Sequence, residues 1–333
     1  MRKKVKINQL VIIFCILILA TSCTEPTSSG SRSGGRESDV VVVLNREYHK
    51  AEPANIVDEY LCDSYLLLPQ HEPMFKIYLI AWEDLSSTFS NFRNIIKIDI
   101  NPKYSEPSAK MNQYDNQVIF NFNAPDPETF VELFQKHAQQ VITALNESER
   151  KFAADYLKRA GDKNLQKHIL NKHQVNLFVQ KGFQIRKETD NFLWLSFETN
   201  KLSLGLILYY FDYTDVDMFK REYLLKYRDS VLEKHIKGPL YPDRMSYMTT
   251  MYDPVAPLYQ EMNYKNSYMT EIKGLWRVTE DFMAGPFLSI SKPDLDRKRI
   301  VTVEGYVYYP SENKRKFMRR FEGALYNFNF PKN

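Results

Sequence analysis

An α+β fold, with antiparallel-rich sheets and packed helices, is predicted by three observations. Short segments alternate apolar and polar residues with a period of two: Ile96, Ile98 and Ile100 against Lys97 and Asp99, and Val118, Phe120 and Phe122 against Asn121 and Asn123. Elsewhere the period changes to three and four, as in Phe130, Leu133, Phe134, Ala138, Val141, Ile142 and Leu145, which form a single helical stripe. Strand-like and helical blocks also follow one another irregularly, without the strict β-α alternation of a doubly wound sheet.

Taken in order, Val40 to Leu44 is a continuous apolar run, the pattern of a strand buried on both faces. The two alternating strands follow, then Pro125 and Pro127 and the helical stripe, which continues as polar helical sequence to about Lys172. Phe183 to Asp212 reads as strand-rich, with Leu202 to Phe211 a central strand. Thr214 or Asp215 is placed to cap a helix over Val216 to Ile236. The last third holds strands at Phe287–Ser291 and Ile300–Tyr309 and a helix from Ser311, its expected N-cap, to about Tyr326. This order repeats the earlier strand, strand, proline and helix. It describes either two related strand-strand-helix halves, over 39–176 and 177–333, or two unrelated units of a common type.

The first 38 residues read differently. Arg2, Lys3, Lys4 and Lys6 precede the apolar run Leu10 to Ala20, which is shorter than the about 20 residues needed to span a bilayer. Residues 1–22 therefore read as a signal peptide, and Leu19-Ala20-Thr21-Ser22-Cys23 resembles a bacterial lipobox, with Ala20 standing where a large aliphatic residue is usual. Cys23 is the expected lipid attachment site, and the Ser/Gly-rich stretch over 23–38 a flexible tether. Losing four basic residues of 45 balances the 41 acidic ones, so a nucleic-acid partner is not expected. The expected location is the outer membrane with the domain in the periplasm. Cell-surface exposure is the alternative, since Glu25 is the single acid just after the cysteine.

The blocks Leu68-Pro69-Gln70-His71-Glu72-Pro73, Arg93-Asn94-Ile95-Ile96, Gly274-Leu275-Trp276, Met283-Ala284-Gly285-Pro286-Phe287 and Val303 to Pro310, with Lys314-Arg315, resemble one family of Bacteroidetes lipoproteins, the domain of unknown function DUF4837. The resemblance implies an α+β lipoprotein of the cell envelope. It implies no activity and no catalytic residues.

Few chemical signatures are present. The 11 glycines make no phosphate-cradling loop, and neither a nucleophile elbow nor a helical two-histidine zinc motif occurs, so no catalytic residue, metal or cofactor is expected. Cys62, the cysteine left beyond Cys15 and Cys23, reads as a buried thiol. His168 and His173, five apart, are expected on different helix faces, and His137 on the rim of its stripe. Asp212, Asp215 and Asp217 lack the glycine and distal glutamate of a calcium loop, and helix capping and first-turn dipole compensation account for Asp215 and Asp217.

Two binding features stand out. Tyr306 and Tyr308 share a strand face opposite Val303 and Val307 and, with Trp276, suit stacking on a sugar or peptide, although packing under a helix is the plainer explanation of the tyrosines. Lys314, Arg315 and Arg319 are expected on the outer side of the last helix, where anionic groups could meet them. These features favour a non-catalytic module that binds an envelope protein, a glycan or a lipid. The alternative is a carboxylate-based hydrolase of cell-wall material using acids among Glu72, Glu271 and Asp281.

Overall fold

Two sheets and a 34-residue helix that serves both organise the chain in the computed structural model, which describes residues 34–65, 67–238 and 246–332. The expected signal peptide, Cys23 and the expected tether as far as residue 33 lie outside the described residues. Residues 34–38, expected in the tether, belong to the fold instead. Gly34 bridges to Phe92, and the Ser38 amide donates to Glu149 Oε2 at 2.7 Å.

The first sheet has the order β2-β1-β3-β5-β4, with β1 Asp39–Val43, β2 Lys76–Ile80, β3 Asn94–Ile100, β4 Ser108–Tyr114 and β5 Gln117–Ala124. Strand β1 lies fully inside. Val40 and Val42 point to one core and Val41 and Val43 to the other, as a run without alternation requires. The faces read from alternation are those observed, because Ile96, Ile98, Ile100, Val118, Phe120 and Phe122 share one core. Helices α1 (Glu52–Leu61) and α3 (Pro127–Ala160) cover that face; the four-residue helix α2 (Ser87–Ser90) lies elsewhere. Asp126 caps α3 by accepting from the Thr129 amide at 2.7 Å, with Pro127 at the first helical position. Gly161 ends α3, and α4 (Lys163–His173) follows.

The second sheet is antiparallel throughout, in the order β10-β11-β12-β13-β8-β7-β6, with β9 beside β11. Its strands are β6 Gln184–Glu188, β7 Phe192–Glu198, β8 Ser203–Asp212, β9 Met248–Met251, β10 Leu258–Tyr264, β11 Ser267–Val278, β12 Ala284–Asp294 and β13 Arg299–Tyr308. Helices α4 and α6 (Arg315–Leu325) and the end of α3 cover one face, through residues such as Ile169, Phe321 and Leu157. Helix α5 (Arg221–His235) covers the other through Leu224, Leu225 and Leu232. The molecule is thus α+β with packed helices.

One open question gains a distinction and two local expectations are corrected. The two strand-strand-helix units differ in pairing: β3 and β5 run parallel with β4 beyond them, whereas β12 and β13 form an antiparallel hairpin. Asp215 caps only a short 3-10 turn over Val216–Phe219, and α5 begins at Arg221. Ser311 adopts positive φ, so the last helix starts four residues later. No nearby side chain caps it. The distant Glu72 carboxylate does so, accepting from the Lys314 amide at 2.7 Å and the Arg315 amide at 2.9 Å.

A buried charge cluster joins the two sheets. Glu322 on α6, 1% exposed, accepts from the Tyr65 hydroxyl at 2.7 Å and from Arg319 Nη1 at 3.0 Å. Arg150 of α3 and Lys273 of β11 each place a nitrogen 3.9 Å from it. Lys273 also meets Glu271 at 3.1 Å, and Tyr326 donates its hydroxyl to Glu271. Burial alone would raise the Glu322 carboxyl, but Arg319, Arg150 and Lys273 outweigh it and hold the group at about 2.

Since an unfolded glutamate titrates near about 4.3, Glu322 contributes stability that is full above that pH and is lost as pH falls toward 2. Glu322→Gln leaves buried cations uncompensated and should cost about 3–5 kcal/mol at neutral pH, read by urea unfolding. The difference from the parent should shrink below about pH 4.3; a difference independent of pH would contradict the assignment.

Candidate functional site

On the α5 side of the second sheet, the ends of β7, β8, β11 and β13 enclose an open cleft of about 490 Å³. Its position follows from the strand register. Ser196 of β7, Gly205 of β8 and Tyr306 of β13 form one row across the sheet. Two small residues beside Tyr306 leave room for its ring to lie across the neighbouring strand. A Cβ on Gly205 would stand 1.8 Å from that ring, so only glycine fits there.

Trp194, Trp276, Tyr306 and Tyr308 form the aromatic part of the wall. The Trp194 indole donates to the Tyr306 hydroxyl at 3.0 Å, and Trp276 meets Tyr306 edge to face with ring centroids 5.3 Å apart. Tyr308 tilts against Trp276 at 6.2 Å. Ile236, Met248, Val278 and Met283 extend the apolar surface. Arg186, Glu198, Thr199, Asn200, Lys201, Ser203 and Lys237 make the polar rim. Trp276 and Tyr306 are buried, whereas Trp194 and Tyr308 keep part of their surface in solvent. Burial raises the Tyr306 phenol above its ordinary value, so it remains a protonated donor at neutral pH.

Three of the residues singled out from sequence, Tyr306, Tyr308 and Trp276, therefore meet in one cleft. The basic residues of the last helix do not join them, and the expectation of an outward basic face is corrected. Lys314 and Arg319 are 3% and 2% exposed. Arg319 pairs with Glu322 and lies over the rings of Tyr65 and Phe75, while Lys314 donates to Gln70 Oε1 at 3.0 Å. Arg315 is half-buried and donates to the Pro73 carbonyl. Helical spacing marked these positions as one stripe, but residues 63–65 and 67–75 pack over that stripe and convert it to an interior.

The acids considered for hydrolysis are dispersed. Glu72 caps α6, Glu271 sits in the Glu322 cluster, and Asp281 accepts from the Phe282 and Met283 amides in the β11–β12 turn. Among the described residues lining the cleft, Glu198 is the one carboxylate, and it accepts from Ser203 Oγ at 2.9 Å.

The histidines show a second departure. His168 and His173 both reach Glu188 Oε1, at 2.8 and 3.0 Å, and Lys172 reaches Oε2 at 3.0 Å. Edge strand β6 passes beside α4 and brings to one carboxylate side chains that helical spacing alone keeps apart. Burial of Glu188 works against its ionisation, but bonds from His168, Lys172 and His173 prevail and lower it to about 2. No group of three or more His, Cys, Asp or Glu fit to hold a metal occurs among the described residues. His137 lies half-buried at the rim of its stripe against Phe122. Burial pushes the Cys62 thiol up to about 12, and its Sγ donates to the Phe75 carbonyl. Asp217 pairs with Lys220 at 3.0 Å.

Sequence reasoning missed Trp194, Arg186, Glu198, Lys201 and Lys237. The available signal for the first three was alternation along β6 and β7, where Trp194, Ser196 and Glu198 share a face. Lys237 enters from the far end of α5, which no local pattern reports.

Residues 162–327 match the family model "Domain of unknown function (DUF4837)", and residues 33–158 match "Domain of unknown function (DUF8532)". The two matches meet where α3 gives way to α4. No curated protein matches the chain. Among solved structures, a mutant of protein Mog1 is 9% identical with a TM-score of 0.30, over 47% of this chain and 90% of that one. The human StarD13 lipid transfer and protein localization domain is 15% identical with a TM-score of 0.23, over 49% and 93%. Both likenesses are too slight to carry an argument about fold or function. The family identity that the comparisons support is that of residues 162–327, a domain of unknown function matched by the DUF4837 model.

Proposed function

We propose that this chain is a lipid-anchored cell-envelope protein that binds a glycan in the aromatic cleft without catalysing a reaction on it. One observation carries the reading: Trp194, Trp276, Tyr306 and Tyr308 gather in a cleft whose rim is polar. Sugar rings present C–H faces that stack on aromatic surfaces and hydroxyl edges that need hydrogen-bond partners, and this wall and rim offer both. Glycoside hydrolysis by paired carboxylates needs two acids about 5–9.5 Å apart, and Glu198 has no described acidic companion on the wall. The lipobox-like Cys23 and the resemblance to Bacteroidetes lipoproteins support an outer-membrane anchor with the domain in the periplasm, surface exposure being the alternative. No nucleic-acid partner is proposed, given the charge balance.

Binding is tested by calorimetry of the full chain against saccharides from bacterial cell walls. Trp194→Ala and Tyr308→Ala, at partly exposed positions, should each weaken binding about tenfold while leaving the fold intact by circular dichroism, about 1.4 kcal/mol for each ring. Unchanged affinity in both would remove the cleft. Gly205→Ala, which displaces the Tyr306 ring, should cost about 1–3 kcal/mol in stability by denaturant unfolding and weaken the same binding. Mass spectrometry of the native protein should find an acylated N-terminal Cys23, and Cys23→Ser should release the domain from membranes; an unmodified N-terminal segment would contradict the anchor.

A further inference from the structure

Resting on the cleft being a glycan site, we propose that the saccharide it takes is anionic, with its carboxylate or phosphate at the rim formed by Arg186, Lys201 and Lys237 and its ring face against Trp194 and Tyr308. The charges of the described rim are three cations against one acid. Glu198 already holds the Ser203 hydroxyl. The cations are less committed. Arg186 spends only its Nε, donating to Ser196 Oγ at 2.6 Å, and its two terminal nitrogens have no acceptor among the described residues. Such a planar fork matches a carboxylate or phosphate. The Lys201 ammonium, in the β7–β8 turn, has no described partner either. Lys237 is the most engaged of the three: its ammonium donates to the Glu233 carbonyl at 2.7 Å and lies 5.9 Å from the Tyr247 ring centroid, with two further donors left for a ligand.

The floor shows the same excess of donors. Tyr306 accepts from Trp194, and its own hydroxyl proton has no acceptor among the described residues. Trp276, 2% exposed, has a buried Nε1–H with no partner among the described residues. The charges of both Glu198 and Arg186 act on the Tyr306 hydroxyl, so rim and floor form one electrostatic environment. A buried donor without an acceptor is costly, and a ligand rich in oxygen acceptors relieves that cost. An acyl chain supplies no such oxygen, and a cationic ligand meets three like charges. A sugar carrying an anionic group supplies the ring face, the acceptors and the opposite charge together.

The test is calorimetric titration of the full chain with four probes in two matched pairs: trigalacturonate against neutral galactotriose, and glucose 6-phosphate against glucose. At least one anionic probe should bind tenfold or more tightly than its neutral counterpart, and which pair responds separates carboxylate from phosphate. That preference should fall as salt rises from about 50 to about 500 mM, because the rim charges are exposed and screened. Lys201→Glu should weaken the anionic probe about tenfold more than it weakens the neutral counterpart; an equal loss for both would count against the anionic assignment. Equal binding of charged and neutral partners in both pairs would overturn the anionic assignment while leaving the cleft as a glycan site. Binding of no probe, with the chain folded, would overturn the assignment and count against the glycan reading itself.

Discussion

The position of the Glu322 carboxylate is the constraint on which the rest of the molecule depends. It lies where α3, α6, β11 and the Tyr65 segment meet, and four partners from those elements compete for its charge. A buried acid of this kind adds little net attraction over an apolar packing of the same shape. It does penalise every arrangement in which one partner is missing, and so sets the seat of α6 on the second sheet. Glu72 reinforces that seat by capping α6 from outside the helix, tying the segment before β2 to the C-terminal part of the chain.

From α6 the constraint passes to the cleft through a single strand. Phe321 of α6 lies on Gly305, where a Cβ would come within 2.3 Å of its ring, so helix and strand approach as closely as the backbone allows. The next residue, Tyr306, faces the opposite side of the sheet. There Glu304 and Arg228 form a buried two-bond pair at 2.6 and 2.7 Å, with Arg228 over the Phe287 ring at 3.8 Å, and this fixes α5 above the same strand. Strand β13 is thereby held from both faces. These contacts on both faces of β13 hold the aromatic wall in place, and a preformed wall spares a ligand the cost of ordering it.

Much of this was legible in the sequence, and the division follows from the range of the interactions. Alternation in Ile96 to Ile100 and Val118 to Phe122, and the stripe from Phe130 to Leu145, report which side chains must leave water, so those faces were read correctly. The shared face of Tyr306 and Tyr308 followed from period two alone. Features that depend on distant segments were not legible. The Arg319 stripe reads as solvated until residues 63–65 and 67–75 are known to cover it, and α6 needs no local cap because Glu72 supplies one from more than 240 residues away. Parallel pairing of β3 with β5 was equally hidden, since a strand's own pattern does not state the direction of its neighbour. Trp194 escaped notice because its partner in the cleft, Tyr306, lies 112 residues further on.

The central claim is that one aromatic cleft on a rigid sheet receives an acceptor-rich saccharide. Hydrogen exchange measured by mass spectrometry on the full chain, with and without the tightest-binding saccharide, tests it most directly. The account predicts added protection confined to the segments around residues 186, 194–203, 236–237, 248, 276–283 and 306–308, with the Glu322 cluster and the first sheet unchanged. Protection centred instead on α6 near Lys314 and Arg319, or spread evenly over both sheets, would contradict it.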